Sequence, residues 1–154
     1  MIQAIRPILP WLLLAAATAA PAASDVQMRH LAKGMTTEET SGNAFMVIHT
    51  AEEFARALNR KTNLAGERAS PDGQPSVDFD TETAVGVLLS NRPTACAGVE
   101  ITSITKDGTV SVVHYRERRR KPHETCAATV TSPFDFVAIP KTGAPIRFEA
   151  DGEP

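Results

Sequence analysis

The dipeptide Asp107-Gly108 limits the fold of this chain more than any other stretch. It lies between Val99 to Thr105 and Thr109 to Tyr115, two runs rich in β-branched residues. Asp-Gly in that setting is a strong short-range signal for a β-hairpin, because glycine adopts the positive φ that tight hairpin turns require. Further apolar runs occur at Phe45 to Ile48, Val77 to Phe79, Ala84 to Leu89, Ala127 to Thr131, Phe134 to Ile139 and Pro145 to Glu149, punctuated by Pro133, Pro140 and Gly143. Short strands at this spacing predict a mostly antiparallel sheet. Gly66 to Ser76, with Pro71, Asp72, Gly73 and Pro75, must be loop.

One segment breaks the β pattern. Thr50-Ala51-Glu52-Glu53 matches a capping box, in which the threonine and the glutamate three places later satisfy free amides at a helix start. Phe54, Ala57 and Leu58 follow at helical spacing. The expected fold is therefore α+β: a curved or partly closed, mostly antiparallel β-sheet with one covering helix over about 50–61.

The N-terminus has a different character. Arg6 is followed by an apolar stretch from Ile8 to Ala20 and by Ala20-Pro21-Ala22, the form of a secretory signal with its small-residue cleavage site. The stretch is shorter than the roughly 20 residues a spanning helix needs, and Pro10 interrupts it. The expected organisation is a signal peptide at 1–22, a flexible segment at 23–40 with a short strand candidate at Val26 to Leu31, and a single domain at 41–150. No membrane span is expected after cleavage, and the expected location is periplasmic or secreted. Hydrophobic residues at 42% and charged residues at 22% exclude both a disordered chain and a multi-span membrane protein.

Export bears directly on Cys96 and Cys126, the only cysteines. An oxidising compartment favours a disulfide between them. Closing a loop of about 31 residues contributes roughly 3 to 4 kcal/mol in the chain-entropy model. The rival readings are a metal site built on His123 and Cys126, which form H-x-x-C, and a Cys/His nucleophile. Two cysteines and one nearby histidine fall short of a structural zinc set, so the disulfide is preferred and no metal is assigned.

No catalytic signature is present. The four histidines, His30, His49, His114 and His123, are dispersed, and no nucleophile elbow, zinc helix, Walker loop or dinucleotide fingerprint occurs. The expectation is a protein that is not an enzyme and uses no cofactor. Asp78, Asp80 and Glu82 alternate, but they lack the central glycine and closing glutamate of a calcium loop. A solvated turn is the preferred reading. The most conspicuous charge run is Arg116-Glu117-Arg118-Arg119-Arg120-Lys121-Pro122-His123. Export, the lack of interleaved aromatics and a formal charge of −2, one unit more negative without Arg6, argue against nucleic acid.

Several motifs line up in order: Ser41-Gly42; Thr50 to Phe54; Val77-Asp78-Phe79-Asp80-Thr81-Glu82-Thr83-Ala84-Val85-Gly86-Val87; Arg92-Pro93-Thr94 followed by Gly98-Val99-Glu100-Ile101; and Thr131-Ser132-Pro133-Phe134-Asp135-Phe136-Val137. Over roughly 41–148 this series resembles the PrcB C-terminal domain family, named for a subunit that stabilises a surface protease complex. The resemblance implies a non-catalytic module that binds or stabilises a protease or another envelope complex. The Asn91-Arg92-Pro93-Thr94 turn is also similar to the asparagine-proline-threonine-threonine-glycine-tyrosine loop of chagasin-type cysteine protease inhibitors. That likeness makes inhibition through the 91–98 turn the alternative function, with an unrecognised ligand carrier or enzyme as a further one.

A Cys96–Cys126 bond would bring the Arg92 turn and the basic run together at one end of the sheet. The candidate partner-binding residues are accordingly Arg92, Pro93, Thr94, Arg118, Arg119, Arg120 and Lys121. The expected partner is a protein, with an anionic envelope surface as the other candidate.

Overall fold

The computed structural model describes residues 23–59 and 76–152. The leader at 1–22, the loop at 66–75 and the expected last residues of the helix, 60 and 61, lie outside the described residues. Eight strands and one helix follow in the order β1 (Ser24–Asp25), β2 (Arg29–Thr36), β3 (Ala44–Ile48), α1 (Ala51–Asn59), β4 (Glu82–Leu88), β5 (Gly98–Asp107), β6 (Val110–Arg118), β7 (Ser132–Pro140) and β8 (Ile146–Ala150). They form two four-stranded sheets, β1-β5-β6-β8 and β2-β7-β4-β3. The α+β class with sheet predominating is as expected. The single curved or partly closed sheet is not: there are two sheets, neither closed into a barrel.

Two apolar layers explain this division. Val85, Val87, Val99, Ile101, Ile104, Val113, Val137 and Ile139 fill the space between the sheets. On the far side of the β2-β7-β4-β3 sheet, Ala84, Leu88, Phe134 and Phe136 pack against Phe54 and Leu58 of α1. That sheet is thus the middle layer, and seven successive β7 residues after Ser132, Pro133 to Ile139, are buried with it. Strands buried on both faces read as continuous apolar runs, and one sheet alone could not cover both faces of β4 and β7.

Local chemistry sets the element ends. The Thr50 hydroxyl accepts the Glu53 N–H at 3.2 Å, while the Glu53 carboxylate accepts the His49 N–H at 3.1 Å. Gly108, at φ +59°, opens the two-residue turn between β5 and β6. The Val77 to Phe79 run is not a strand. Asp78 folds it into a turn by accepting the Asp80 N–H at 3.1 Å and the Thr81 hydroxyl at 2.9 Å. The turn is built on the Asp78 carboxylate, while Glu82 opens β4 and pairs with Arg29 at 2.8 Å.

One further expectation is corrected. The segment 23–40, read as flexible, supplies β1 and β2, and Val26 and Met28 between them pack on the inter-sheet core. It forms because β5 and β7 each have an edge to pair, and β2 follows β7 over Arg29 to Thr36. The C-terminal strand β8 runs parallel to β6. After β6 the chain crosses to the middle sheet as β7 and crosses back, so β8 returns in the direction of β6 and not as a hairpin partner.

A carboxyl group sits inside the middle layer. Asp135, on β7, is 0% exposed, and its Oδ2 accepts the Ile101 N–H at 2.7 Å, at the register break in β5. Its Oδ1 lies 3.5 Å from His30 Nδ1. Nearby, Lys33 pairs with Glu100 at 3.1 Å, joining β2 to β5. Burial pushes the Asp135 carboxyl above its ordinary range, while the Ile101 amide and then the His30 and Lys33 charges oppose the rise.

Two expected outcomes follow from this packing. A methyl group at Gly86 would overlap the Phe136 ring opposite it. Gly86→Ala should therefore cost about 1 to 3 kcal/mol in urea unfolding, and a neutral effect would disprove the close approach. Because the native Asp135 pKa is raised, the unfolded chain ionises first as pH climbs, and native stability falls through that window before levelling off. Asp135→Asn keeps an acceptor for Ile101 and cannot ionise. Its stability relative to the parent should improve between pH 3 and pH 7, and a pH-independent difference would refute the buried-charge account.

Candidate recognition site

The end of the sandwich where β5 begins and β6 finishes carries the candidate residues. Gly98 pairs with Arg118 at the last rung of the β5–β6 ladder. Cys96 precedes that rung and Cys126 follows the basic run. The two are joined in a disulfide with Cα atoms 5.6 Å apart. The carboxylate that gathers beside the two sulfurs is Glu124, not His123. Each sulfur is bonded to the other, and Glu124 is held by cations, so the arrangement is a staple and not a thiolate ligand set.

Backbone contacts extend the staple. Arg92 and Thr131 form an antiparallel bridge, with N–H to O distances of 2.7 and 2.9 Å. The Ala95 N–H donates to Ala127 O at 3.1 Å, and the Thr131 hydroxyl donates to Thr94 O at 3.0 Å. The run Ala127 to Thr131, expected as a strand, makes only this isolated bridge and is exposed from Ala127 to Val130. Asn91 anchors the turn from behind, its Oδ1 accepting the Thr40 N–H at 3.1 Å and the Ser132 hydroxyl at 2.9 Å.

Arg92 is held internally. Its Nε and Nη2 donate to the two Glu117 oxygens at 2.6 and 3.0 Å, and Nη1 donates to Ser90 O and Oγ at 2.9 and 2.8 Å. The pair is mostly buried, with side-chain exposures of 22% and 28%. Glu117 is held below the usual carboxylate range by its hydrogen bonds from Arg92, and Arg92 is raised by the same contact. A bidentate pair in this setting contributes on the order of 1 kcal/mol. Arg92 is therefore a positioning residue that fixes the turn to β6. Thr94 also faces inward, accepting the Cys96 N–H at 3.2 Å, and Pro93 is the exposed member of the motif.

The basic run is organised around Glu124. Its carboxylate accepts the Lys121 N–H at 3.0 Å and is paired with Arg118, while its carbonyl accepts Arg120 Nε at 2.8 Å. The Lys121 amide and the Arg118 charge lower its pKa. The turn closes with the Glu124 N–H donating to Lys121 O at 3.1 Å, and His123 within it takes φ +67°. Arg119 adds to the positive field at Glu117. All four cations from Arg118 to Lys121 remain exposed.

The histidines occupy separate places. His30 on β2 faces Asp135, His49 precedes α1, and His123 is in the basic loop. His114 on β6 lies 3.0 Å from the Thr105 hydroxyl through Nε2 and 3.7 Å from Asp151 Oδ1 through Nδ1. The Thr102 hydroxyl donates to Asp151 Oδ2 at 2.6 Å, and the Asp151 N–H donates to Tyr115 O at 2.7 Å. This cluster ties the chain after β8 to β5 and β6. A cleft of about 340 Å³ lies where β4 begins and β7 ends, away from the stapled loops. Its charged residues, Arg29 and Glu82, satisfy each other at 2.8 Å.

Sequence reasoning missed Glu117 and Glu124 as the organisers of this end. The signal for Glu124 was available: an acid three residues after Lys121 can close back on a basic run. The signal for Glu117 was weak, because its partner lies 25 residues away.

Replacing both cysteines, as Cys96→Ser with Cys126→Ser, should lower stability by roughly 3 kcal/mol. It should also speed tryptic cleavage at Arg118 to Lys121. Urea unfolding and a timed digest measure the two effects, and an unchanged cleavage rate would show that the loop is held without the disulfide.

Compared with family models, curated proteins and solved structures, the chain matches none, so its function has to be argued from the geometry of this stapled end.

Proposed function

We propose that the chain is an exported, non-catalytic protein-interaction module. It binds, stabilises or restrains a protease or another envelope complex, in the manner implied by its resemblance to the PrcB C-terminal domain. One observation carries the reading: a disulfide, the Arg92–Glu117 pair and the Glu124 hub hold two loops about 30 residues apart as one end of a rigid sandwich. Loops fixed before binding lose less conformational entropy when a partner arrives. Export is supported by the disulfide, and no helix among the described residues is long and apolar enough to cross a membrane.

Inhibition by insertion of the 91–98 turn into a protease cleft has less support. Arg92, Thr94 and Ala95 are engaged with Glu117, Thr131 and Ala127, which leaves Pro93 as the projecting residue.

Affinity capture from an envelope extract tests the proposal, using the parent and an Arg118→Glu/Arg119→Glu/Arg120→Glu variant. The expected result is a partner retained by the parent and lost by the variant. Identical capture by both would sink the basic loop as the docking surface. Titration of a serine and cysteine protease panel separates the readings, since only an inhibitor reduces turnover stoichiometrically.

A further inference from the structure

The loop between β6 and β7 has a charge balance that its fold does not use up. Arg118, Arg120 and Lys121 lie near two acids, Glu117 and Glu124, while Arg116 on β6 has Asp151 at 3.9 Å. Both acids are committed inside the protein, Glu117 to Arg92 and Glu124 to Arg118 and the Lys121 amide. Arg120 is anchored through Nε, and its two terminal nitrogens make no hydrogen bond among the described residues. The Lys121 ammonium makes no hydrogen bond among the described residues, and Arg118 is 54% exposed.

We propose that the loop grips a carboxylate-rich polypeptide, a short extended run of Asp and Glu, through Arg118, Arg120 and Lys121. This deepens, and rests on, the interaction-module reading. The chain already contains the chemistry in miniature. Glu124 is a carboxylate seated among these cations, and Glu117 is held by a bidentate guanidinium. A planar guanidinium matches a carboxylate in this way, and a rigid loop presents it without further ordering.

The surroundings favour a narrow partner over a flat anionic surface. Glu100, opposite Arg116 on β5, is 57% exposed beside Lys33, and Glu149, beside His114 on β8, is 45% exposed beside Arg147. The whole chain carries −2. A bilayer would have to approach the rest of a net-negative chain as well as the loop. An extended peptide can engage the loop alone.

The test uses a fluorescein-labelled ten-residue Glu/Asp peptide and an uncharged Gly/Ser control, read by anisotropy. The acidic peptide should bind the parent protein, and affinity should fall at least tenfold on going from 50 to 300 mM salt. Arg118→Glu/Arg120→Glu/Lys121→Glu should weaken binding at least tenfold while keeping the parent's circular dichroism. The double Cys→Ser variant keeps every cation and should still lose several-fold. Sedimentation with phosphatidylglycerol vesicles, but no binding of the peptide, would overturn the proposal in favour of a lipid surface. If the peptide fails to bind while charge-dependent capture from envelope extract persists, the acidic-segment proposal falls and the module reading survives. Peptide binding without any captured partner supports the carboxylate grip and counts against the module reading.

Discussion

The middle sheet must be apolar on both faces, and most of the architecture follows from meeting that demand. On β4, Val85 and Val87 face the other sheet while Ala84, Gly86 and Leu88 face α1. The two faces differ in shape. The inter-sheet side is filled by branched aliphatic residues, whereas the helix side is built on Phe54, Phe134 and Phe136, with ring centroids about 6 Å apart. Aromatic rings of that size need room, and Gly86 supplies it opposite Phe136. Burying a phenylalanine contributes roughly 2 to 3 kcal/mol, so the missing side chain at Gly86 serves the packing of the whole helix layer.

Against that apolar requirement, Asp135 stands out. A buried carboxylate is costly unless it satisfies a group that would otherwise be unpaired. Here it takes the Ile101 amide at the place where β5 slips register, and His30 and Lys33 lie on its solvent side. The contact crosses from one sheet to the other between central strands, so it sets their alignment as well as meeting a backbone donor. An irregularity in one sheet is therefore matched to a polar group in the other, and neither makes sense alone.

How much of this was legible in the sequence depended on whether the cause was local. The helix start at Thr50, the β5–β6 turn at Gly108 and the pairing of the only two cysteines all follow from nearby residues or from simple elimination, and each is present. β2 was only partly anticipated, by a short strand candidate at Val26 to Leu31, because Arg29-His30-Leu31-Ala32-Lys33-Gly34-Met35-Thr36 has little intrinsic strand preference. It is extended because β7 offers it a ladder, and its charged residues suit an edge strand. The direction of β8 was invisible, since it depends on two crossings between sheets. At the stapled end, the cations were plain in the sequence, but the acids that arrange them were not weighed as structural partners.

Those acids change how the charge run should be understood. A string of arginines and lysine on a free hairpin tip would repel itself and sample many conformations, giving a diffuse positive field. Glu117 and Glu124 remove part of that repulsion from inside, and each uses its carboxylate to fix a particular backbone segment: Glu117 through Arg92 to the 91–98 turn, Glu124 through Lys121 to its own loop. The disulfide then links the two segments covalently. Where β4 begins and β7 ends, Arg29 is matched by Glu82, and the cleft they line has one charge of each sign. The stapled end thus presents exposed cations, Arg118, Arg120 and Lys121, whose backbone is placed by Glu124 and by the disulfide.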